Sequence, residues 1–186
     1  MRWSLCFRGW YITVRIDALL SPSQFEQACA ALPLVSIDLV VTNPDGQLLL
    51  GLRSNAPARG WWFTPGGRIR KNESFQQAMA RIALDELGLP ADLLGGAILM
   101  GVWDHFYPDS AYSPAVSTHY VNLPHWLQLS WQGINRLTLQ PDQQHTDWQW
   151  LDAAQAEADE TVHPYVRVYA GRVRAPQVRH FLSVSG

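Results

Sequence analysis

The chain has 186 residues, a length that suits one compact domain. Its 14 Lys and Arg against 16 Asp and Glu leave a formal net charge of −2, which excludes a molecule drawn as a whole onto nucleic acid or an anionic bilayer. Hydrophobic residues at 47% and charged residues at 16% exclude a disordered chain, and the two cysteines, Cys6 and Cys29, exclude a disulfide scaffold and have no CxxC spacing.

In residues 1–20 the β-branched and aromatic content allows a strand without specifying one. Arg2, Arg8, Arg15 and Asp17 interrupt every apolar run there, so no signal-peptide core is expected, and the longest uncharged apolar stretch, 93–103, is too short to span a membrane. The expected location is cytoplasmic. Ser21 followed by Pro22 opens a helix as hydroxyl cap and first-turn proline, with Phe25, Cys29 and Leu32 on one face and Pro33 as its end. Residues 35–42 and 47–52 read as strands joined by the turn Asn43-Pro44-Asp45-Gly46. A short strand is expected at 61–64, then a loop at Pro65-Gly66-Gly67 where backbone can approach a ligand closely. Ser74 and Gln77 form a possible capping box for a helix carrying Phe75, Ala78, Met79, Ile82 and Leu87, stopped by Gly88 and Pro90. Strands follow at 97–106, 119–123 and 148–151, with an irregular loop over 107–117, and 152–159 and 164–171 read as helices. The whole is a mixed α/β chain without repeats or an internal linker. The nine tryptophans are expected mainly in the core or an interface, and Arg167, Arg172, Arg174 and Arg179 read as a solvated face, offset by the acids of 142–160.

Residues 67–89, GRIRKNESFQQAMARIALDELGL, carry glycine, five residues, glutamate, seven residues, arginine, and then Glu86, Gly88 and Leu89. Carboxylates three or four residues apart share a helix face, where they can hold a hard cation against diphosphate oxygens. With Gly67, Glu73, Arg81, Glu86, Gly88 and Leu89 in place, the segment resembles the signature of the Nudix hydrolases. That resemblance implies a Nudix fold of the α/β (α+β) class, a mixed β-sheet sandwiched between helices, over 21–175, with 1–20 an extension and 176–186 a tail. Two departures stand out: Ile82 replaces the glutamate expected after Arg81, and Asp85 replaces the first of a glutamate pair.

This pared-down box, with LVSIDLVV at 34–41, LLGLRSN at 49–55, GWWFTPGGR at 60–68, GVWDHFY at 101–107, THY at 118–120 and PDQQH at 141–145, resembles the GDP-mannose mannosyl hydrolase branch of the family. The resemblance implies one Mg2+ per site, with Mn2+ as an alternative, held by Glu86, the Gly66 carbonyl and the side-chain oxygen of Gln144. It implies His145 as general base, Arg53, Arg68 and Tyr120 on the diphosphate, and Asp38 and His105 orienting the sugar, the last two as a pair. Arg81 is expected to organise the helix through an internal ion pair, and Glu73 to be structural rather than a metal ligand. The implied protein is a homodimer acting on a nucleotide sugar: water attacks the anomeric carbon of GDP-mannose, releasing GDP and mannose with inversion, and GDP-glucose is a second possible substrate. Asp85 beside Glu86 keeps open a Nudix pyrophosphohydrolase that cuts at phosphorus, and a non-catalytic nucleotide-sugar sensor is the reading from another class.

Overall fold

In a computed structural model of the chain, residues 20–139 and 144–174 are described, with the backbone of 3–7 and 10–14. The latter form an antiparallel hairpin, β1 (Trp3–Phe7) with β2 (Trp10–Val14), as a sheet of its own. Helix α1 (Pro22–Ala31) starts as its sequence dictates, with the Ser21 hydroxyl accepting from the Gln24 backbone and the Gln24 side chain accepting from the Ser21 N–H. Phe25 and Cys29 are buried, but Leu32 is 64% exposed, because the backbone turns extended at this C-cap and carries the side chain off the helix face.

The spine of the domain is β3 (Leu34–Thr42), which runs through the centre of the main sheet. Its C-terminal half pairs with β10 (His125–Gln128) in parallel, and at Thr42 with β4 (Gln47–Arg53). Its N-terminal half pairs with β6 (Gly66–Arg68) and, in parallel, with β9 (Thr118–Asn122). The sheet therefore forks at Asp38 and Leu39. Outward from the fork lie β5 (Trp62–Phe63) on β4, β7 (Ile98–Leu99) on β10, β8 (Trp103–Tyr107) on β9, and β11 (His145–Asp152) on β4.

The period of two along the central strands decides the layers. Ile37, Leu39, Val41, Leu49 and Leu127 face α2 (Phe75–Leu87), whose Ala78, Met79, Ile82, Ala83 and Leu87 close one core. Val40, Leu48, Leu50 and Trp126 face the other side, where α4 (Ala153–Ala158) and α5 (Pro164–Arg174) supply Ala153, Ala156, Val166, Tyr169, Ala170 and Val173. By the same alternation Asp38 shares the α5 side with Val40. The expected sandwich of a mixed sheet between helices is present.

Local departures from the sequence reading have definite causes. The expected single strand over 97–106 is two, β7 and β8, because the chain bends at Gly101, whose φ of 127° only glycine adopts easily. Pro65-Gly66-Gly67 is no loop: Gly66 and Gly67 extend in β6 against Asp38 and Ile37. A Cβ on Gly66 would lie 2.6 Å from Asp38 Oδ1 and 2.7 Å from the Ile37 carbonyl, so glycine lets the strand lie that close. β10 and the short α3 (Trp131–Ile134) were not anticipated, and β11 begins at His145 rather than at Trp148. Among the described residues no helix is long and apolar enough to cross a membrane.

Helix α2 has both halves of its capping box and ends on Gly88 at φ 61°, where an added Cβ would meet the Thr138 Cβ at 2.7 Å. Gly88→Ala combines a left-handed backbone with that clash and should cost more than about 1 kcal/mol, read as a lowered urea midpoint at unchanged slope.

Candidate active site

A cleft of about 480 Å³ opens where the sheet forks. Asp38, Arg53, Gly66, Arg68, Glu86, His105, Tyr120 and Gln144 all border it. His145, alone among the residues expected to form the site, does not.

The acidic corner comes from α2. Glu86 is buried, whereas its neighbour Asp85 is exposed and lies 3.7 Å from the Arg81 guanidinium. Ile82, standing where the signature has glutamate, is 1% exposed and packs beneath Gly67, where a Cβ would come within 3.2 Å of its Cγ1. Glu73 takes no part in this corner: it accepts from Arg81 Nε at 2.7 Å and Nη2 at 2.9 Å, and from the Arg70 N–H at 2.9 Å. Burial pushes its carboxyl up, but these donors outweigh it and hold the group below its ordinary pKa. Arg81 also donates to the Arg68 carbonyl at 2.9 Å and so braces the β6 end. Arg81 thus has the expected ion pair within the helix, to Asp85, and a shorter one to Glu73 ahead of it, where Glu73 is structural as expected.

Gln144 Nε2 donates to Glu86 Oε1 at 2.5 Å. The Gln144 oxygen is the expected cation ligand, but here its nitrogen faces the carboxylate, since a carboxylate accepts and only the NH2 end can donate. Turned end for end, the same amide would present oxygen beside Glu86. Gly66 borders the same cleft, so the three expected ligands, Glu86, Gln144 and Gly66, lie around one space, with the carboxylates of Asp85 and Asp38 also on its border; oxygen donors of this kind suit a hard cation. Among the described residues no group of three His, Cys, Asp or Glu could hold a metal.

His145 is fully buried behind Glu86, its Nδ1 3.5 Å from Glu86 Oε2. Its ring lies 4.6 Å from that of Trp148 and over Gly51, where a Cβ would fall 2.4 Å from Cδ2. As a general base His145 is expected in contact with water; its pairing with Arg53 at the head of β11 instead carries the ring under the strand, into the space that Gly51 leaves.

Of the four arginines on the cleft, Arg53, Arg68, Arg70 and Arg81, the first two are those expected on the diphosphate. Arg53 is clasped by its own loop, with Nε on the Pro57 carbonyl at 2.9 Å and Nη2 on Asn55 Oδ1 at 3.1 Å. Arg68 stands over the Phe25 ring at 5.4 Å, a cation–π contact that ties α1 to the cleft wall. Burial pushes the Tyr120 phenol up to about 12, so at neutral pH it is a hydrogen-bond donor.

The far wall is a closed polar network. Asp38 Oδ2 accepts from Asn122 Nδ2 at 2.6 Å and from the Tyr169 hydroxyl at 3.1 Å. Asn122 Nδ2 also meets His105 Nδ1 at 3.0 Å, and the Tyr169 hydroxyl meets His105 Nε2 at 2.9 Å. These contacts are all satisfied when Asp38 is ionised and His105 is neutral with its proton on Nε2. The Tyr165 ring stacks on His105 with centroids 3.8 Å apart and planes at 1°. Burial raises the Asp38 pKa to about 6 despite its donors, and lowers that of His105 to about 3. The expected direct pairing of Asp38 with His105 is corrected to a bridged one, through Asn122 and Tyr169. Those two were missed, although a carboxylate inside an apolar strand demands donors, and Tyr169 lies on the buried stripe of a helix that the sequence does reveal.

A glycine strand leading into a capped helix, with a buried carboxylate of that helix on a cleft bordered by arginines, defines a Nudix-type domain. The NUDIX domain family profile matches residues 32–170, and the chain belongs to the Nudix family. It is a Nudix hydrolase, a class that uses divalent cations such as Mg2+. A relative from Haloferax volcanii, the low-salt glycan biosynthesis protein Agl8, is 36% identical over 146 residues, covering 78% of this chain and 85% of that protein. Among solved structures, the MutT protein of Methanosarcina mazei superposes with a TM-score of 0.59 at 20% identity, over 76% of this chain and 93% of that one. The NUDIX domain of Shewanella oneidensis NrtR, complexed with ADP ribose, gives 0.56 at 19% identity, over 81% and 89%. At such identities these structures share the fold.

Burial also lowers His163, beside the Trp61, Phe63 and Tyr107 rings, to about 4. Unfolded histidines take up protons near a pKa of about 6.5, so as the pH falls from there towards 4 the unfolded chain gains protons that folded His105 and His163 refuse, and stability drops. Asp38, raised from 3.8 to about 6, acts in the opposite sense over its own window. The melting temperature should therefore decline on acidification, and His163→Phe should flatten the decline; an unchanged slope in that variant refutes the assignment.

Proposed function

We propose that the protein is a cation-dependent hydrolase of GDP-mannose, releasing GDP and free mannose by attack of water at the anomeric carbon. The observation that carries this reading is the fate of position 82: where the signature supplies a further carboxylate, Ile82 is sealed beneath Gly67, leaving Glu86 as the one buried acid of α2 at the cleft. Attack at phosphorus in this family draws on an acid-rich helix, and a thinned cluster fits better with charge neutralisation of a leaving diphosphate. The glycan-related name of the 36% identical relative supports a sugar-bearing substrate.

In the proposed reaction the C1–O bond to the β-phosphate breaks as a water oxygen bonds to C1 from the opposite face, the configuration inverts, and GDP leaves with the bonding pair. A divalent cation held by Glu86, the Gly66 carbonyl and a turned Gln144 amide would supply positive charge at the departing diphosphate. Arg53 and Arg68 add fixed cations on the same cleft, and Tyr120 adds a neutral donor. Asp38 and His105 line the wall suited to sugar hydroxyls. His145 is the proposed base, and its seat sets a condition: the ring must come out from behind Glu86 to take the proton from water. If it does, His145→Ala lowers kcat by about 10²-fold or more with little change in KM; an unaltered kcat removes the assignment.

Asp85 also borders the cleft, and this favours cleavage at phosphorus as the second reading. Hydrolysis in oxygen-18 water with Mg2+ separates the two. Label in mannose supports the proposal, whereas label in GMP or mannose 1-phosphate rejects it.

A further inference from the structure

Asn122, at the end of β9, is 1% exposed and borders the cleft, yet the reaction outlined above gives it no contact with substrate. Its amide nitrogen is fully committed, to Asp38 Oδ2 at 2.6 Å and His105 Nδ1 at 3.0 Å. Its Oδ1 is buried and meets no donor among the described residues. The amide cannot turn to relieve this, because reversal would set Oδ1 against the Asp38 carboxylate, acceptor against acceptor. Tyr169 closes the arrangement by donating to Asp38 Oδ2 while contacting His105 Nε2 at 2.9 Å.

Buried acceptors without donors are rare in folded proteins, and one on the border of a ligand cleft is most simply served by the ligand. A second residue repeats the pattern independently. Thr64, between β5 and β6, is 1% exposed, borders the same cleft, and has a buried hydroxyl oxygen without a partner among the described residues. An acceptor such as Oδ1 needs a proton from its guest. Phosphate oxygens ionised at neutral pH bring none, whereas sugar hydroxyls do.

We propose that Asn122 is a specificity-determining residue whose Oδ1 accepts a hydrogen bond from one hydroxyl of the hexose, with Asp38, His105 and Tyr169 as positioning residues that hold the amide in this sense. This rests on the nucleotide-sugar reading of the cleft and adds to it which side chain reads the sugar.

The test is kcat/KM for consumption of GDP-mannose and its 2-, 3-, 4- and 6-deoxy analogues by the full chain with Mg2+, in the wild type and in Asn122→Ala, with products identified. One analogue should be used about tenfold or more less efficiently than GDP-mannose by the wild type, and that penalty should shrink to below about threefold in the variant, because the group that read the hydroxyl is gone. Intrinsic reactivity differences among deoxy sugars cancel in the comparison. Where the alanine variant does not fold, Asn122→Ser, which keeps a hydroxyl near Asp38, is read the same way. Tyr169→Phe should weaken the discrimination while the KM for nucleotide-sugar consumption moves less than kcat/KM differs between analogues. Equal penalties in wild type and variant for every analogue, no penalty at all, or no consumption of GDP-mannose overturns the inference; a water occupying Oδ1 gives the second of these results. Release of GMP and sugar phosphate with the penalty pattern intact rejects anomeric attack and leaves Asn122 standing.

Discussion

A carboxylate enclosed in the middle of a sheet is the constraint around which this domain is organised. Asp38 lies on a strand whose residues from Ser36 onward are buried, so at 5% exposure on the cleft border it has little solvent and must be served by donors from other elements. One donor comes from β9, through Asn122, and one from α5, through Tyr169, while His105 of β8 completes the ring of contacts. Gly66 of β6 leaves the space that the carboxylate oxygen fills. Four elements far apart in the chain are thereby fixed to one another at the sheet fork, and the cleft takes its far wall from them.

The near wall is organised by sorting charges along one helix. Glu73, ahead of the α2 cap, is spent on Arg81, and Arg81 is spent on Glu73, the Arg68 carbonyl and the flank of Asp85. Ile82 belongs to the core. What remains turned inward is Glu86, joined by Gln144. The signature thus contains both a scaffold and a working part, and in this chain the working part is small. Arg53 and Arg68 on the same cleft are themselves held, Arg53 by the turn it belongs to and Arg68 by an aromatic ring, which would limit the ordering cost of the anion contacts proposed for them.

Most of the framework was legible because it rests on short-range chemistry. Both capping boxes, the proline at the first turn of α1 and the glycine that stops α2 are written within a few residues of where they act. The apolar runs of β3 and β4 on either side of Asn43-Pro44-Asp45-Gly46 were equally plain. Features set by distant partners were not. That the glycines of 66 and 67 form a strand depends on β3 lying beside them, and the break at Gly101 depends on two different neighbours claiming β7 and β8. In the site, residues carried by the signature or its flanking segments fall on one cleft, whereas Asn122 and Tyr169 had no motif to announce them and emerge only when Asp38 is asked who solvates it. His145 shows the converse: its neighbourhood in sequence was suggestive, but exposure is a tertiary property, and the fold buries it.

The missing side chain at Gly51 amounts to a mould. Its outline is that of an imidazole, and it belongs to β4 while the ring that fills it belongs to β11. Socket and plug are thus encoded in separate parts of the chain: a methyl group in the socket would collide with the seated ring, and a bulkier plug would press on the strand beneath it. Bulk added at one position therefore needs room given up at the other, a coupling to seek across diverging copies of the domain.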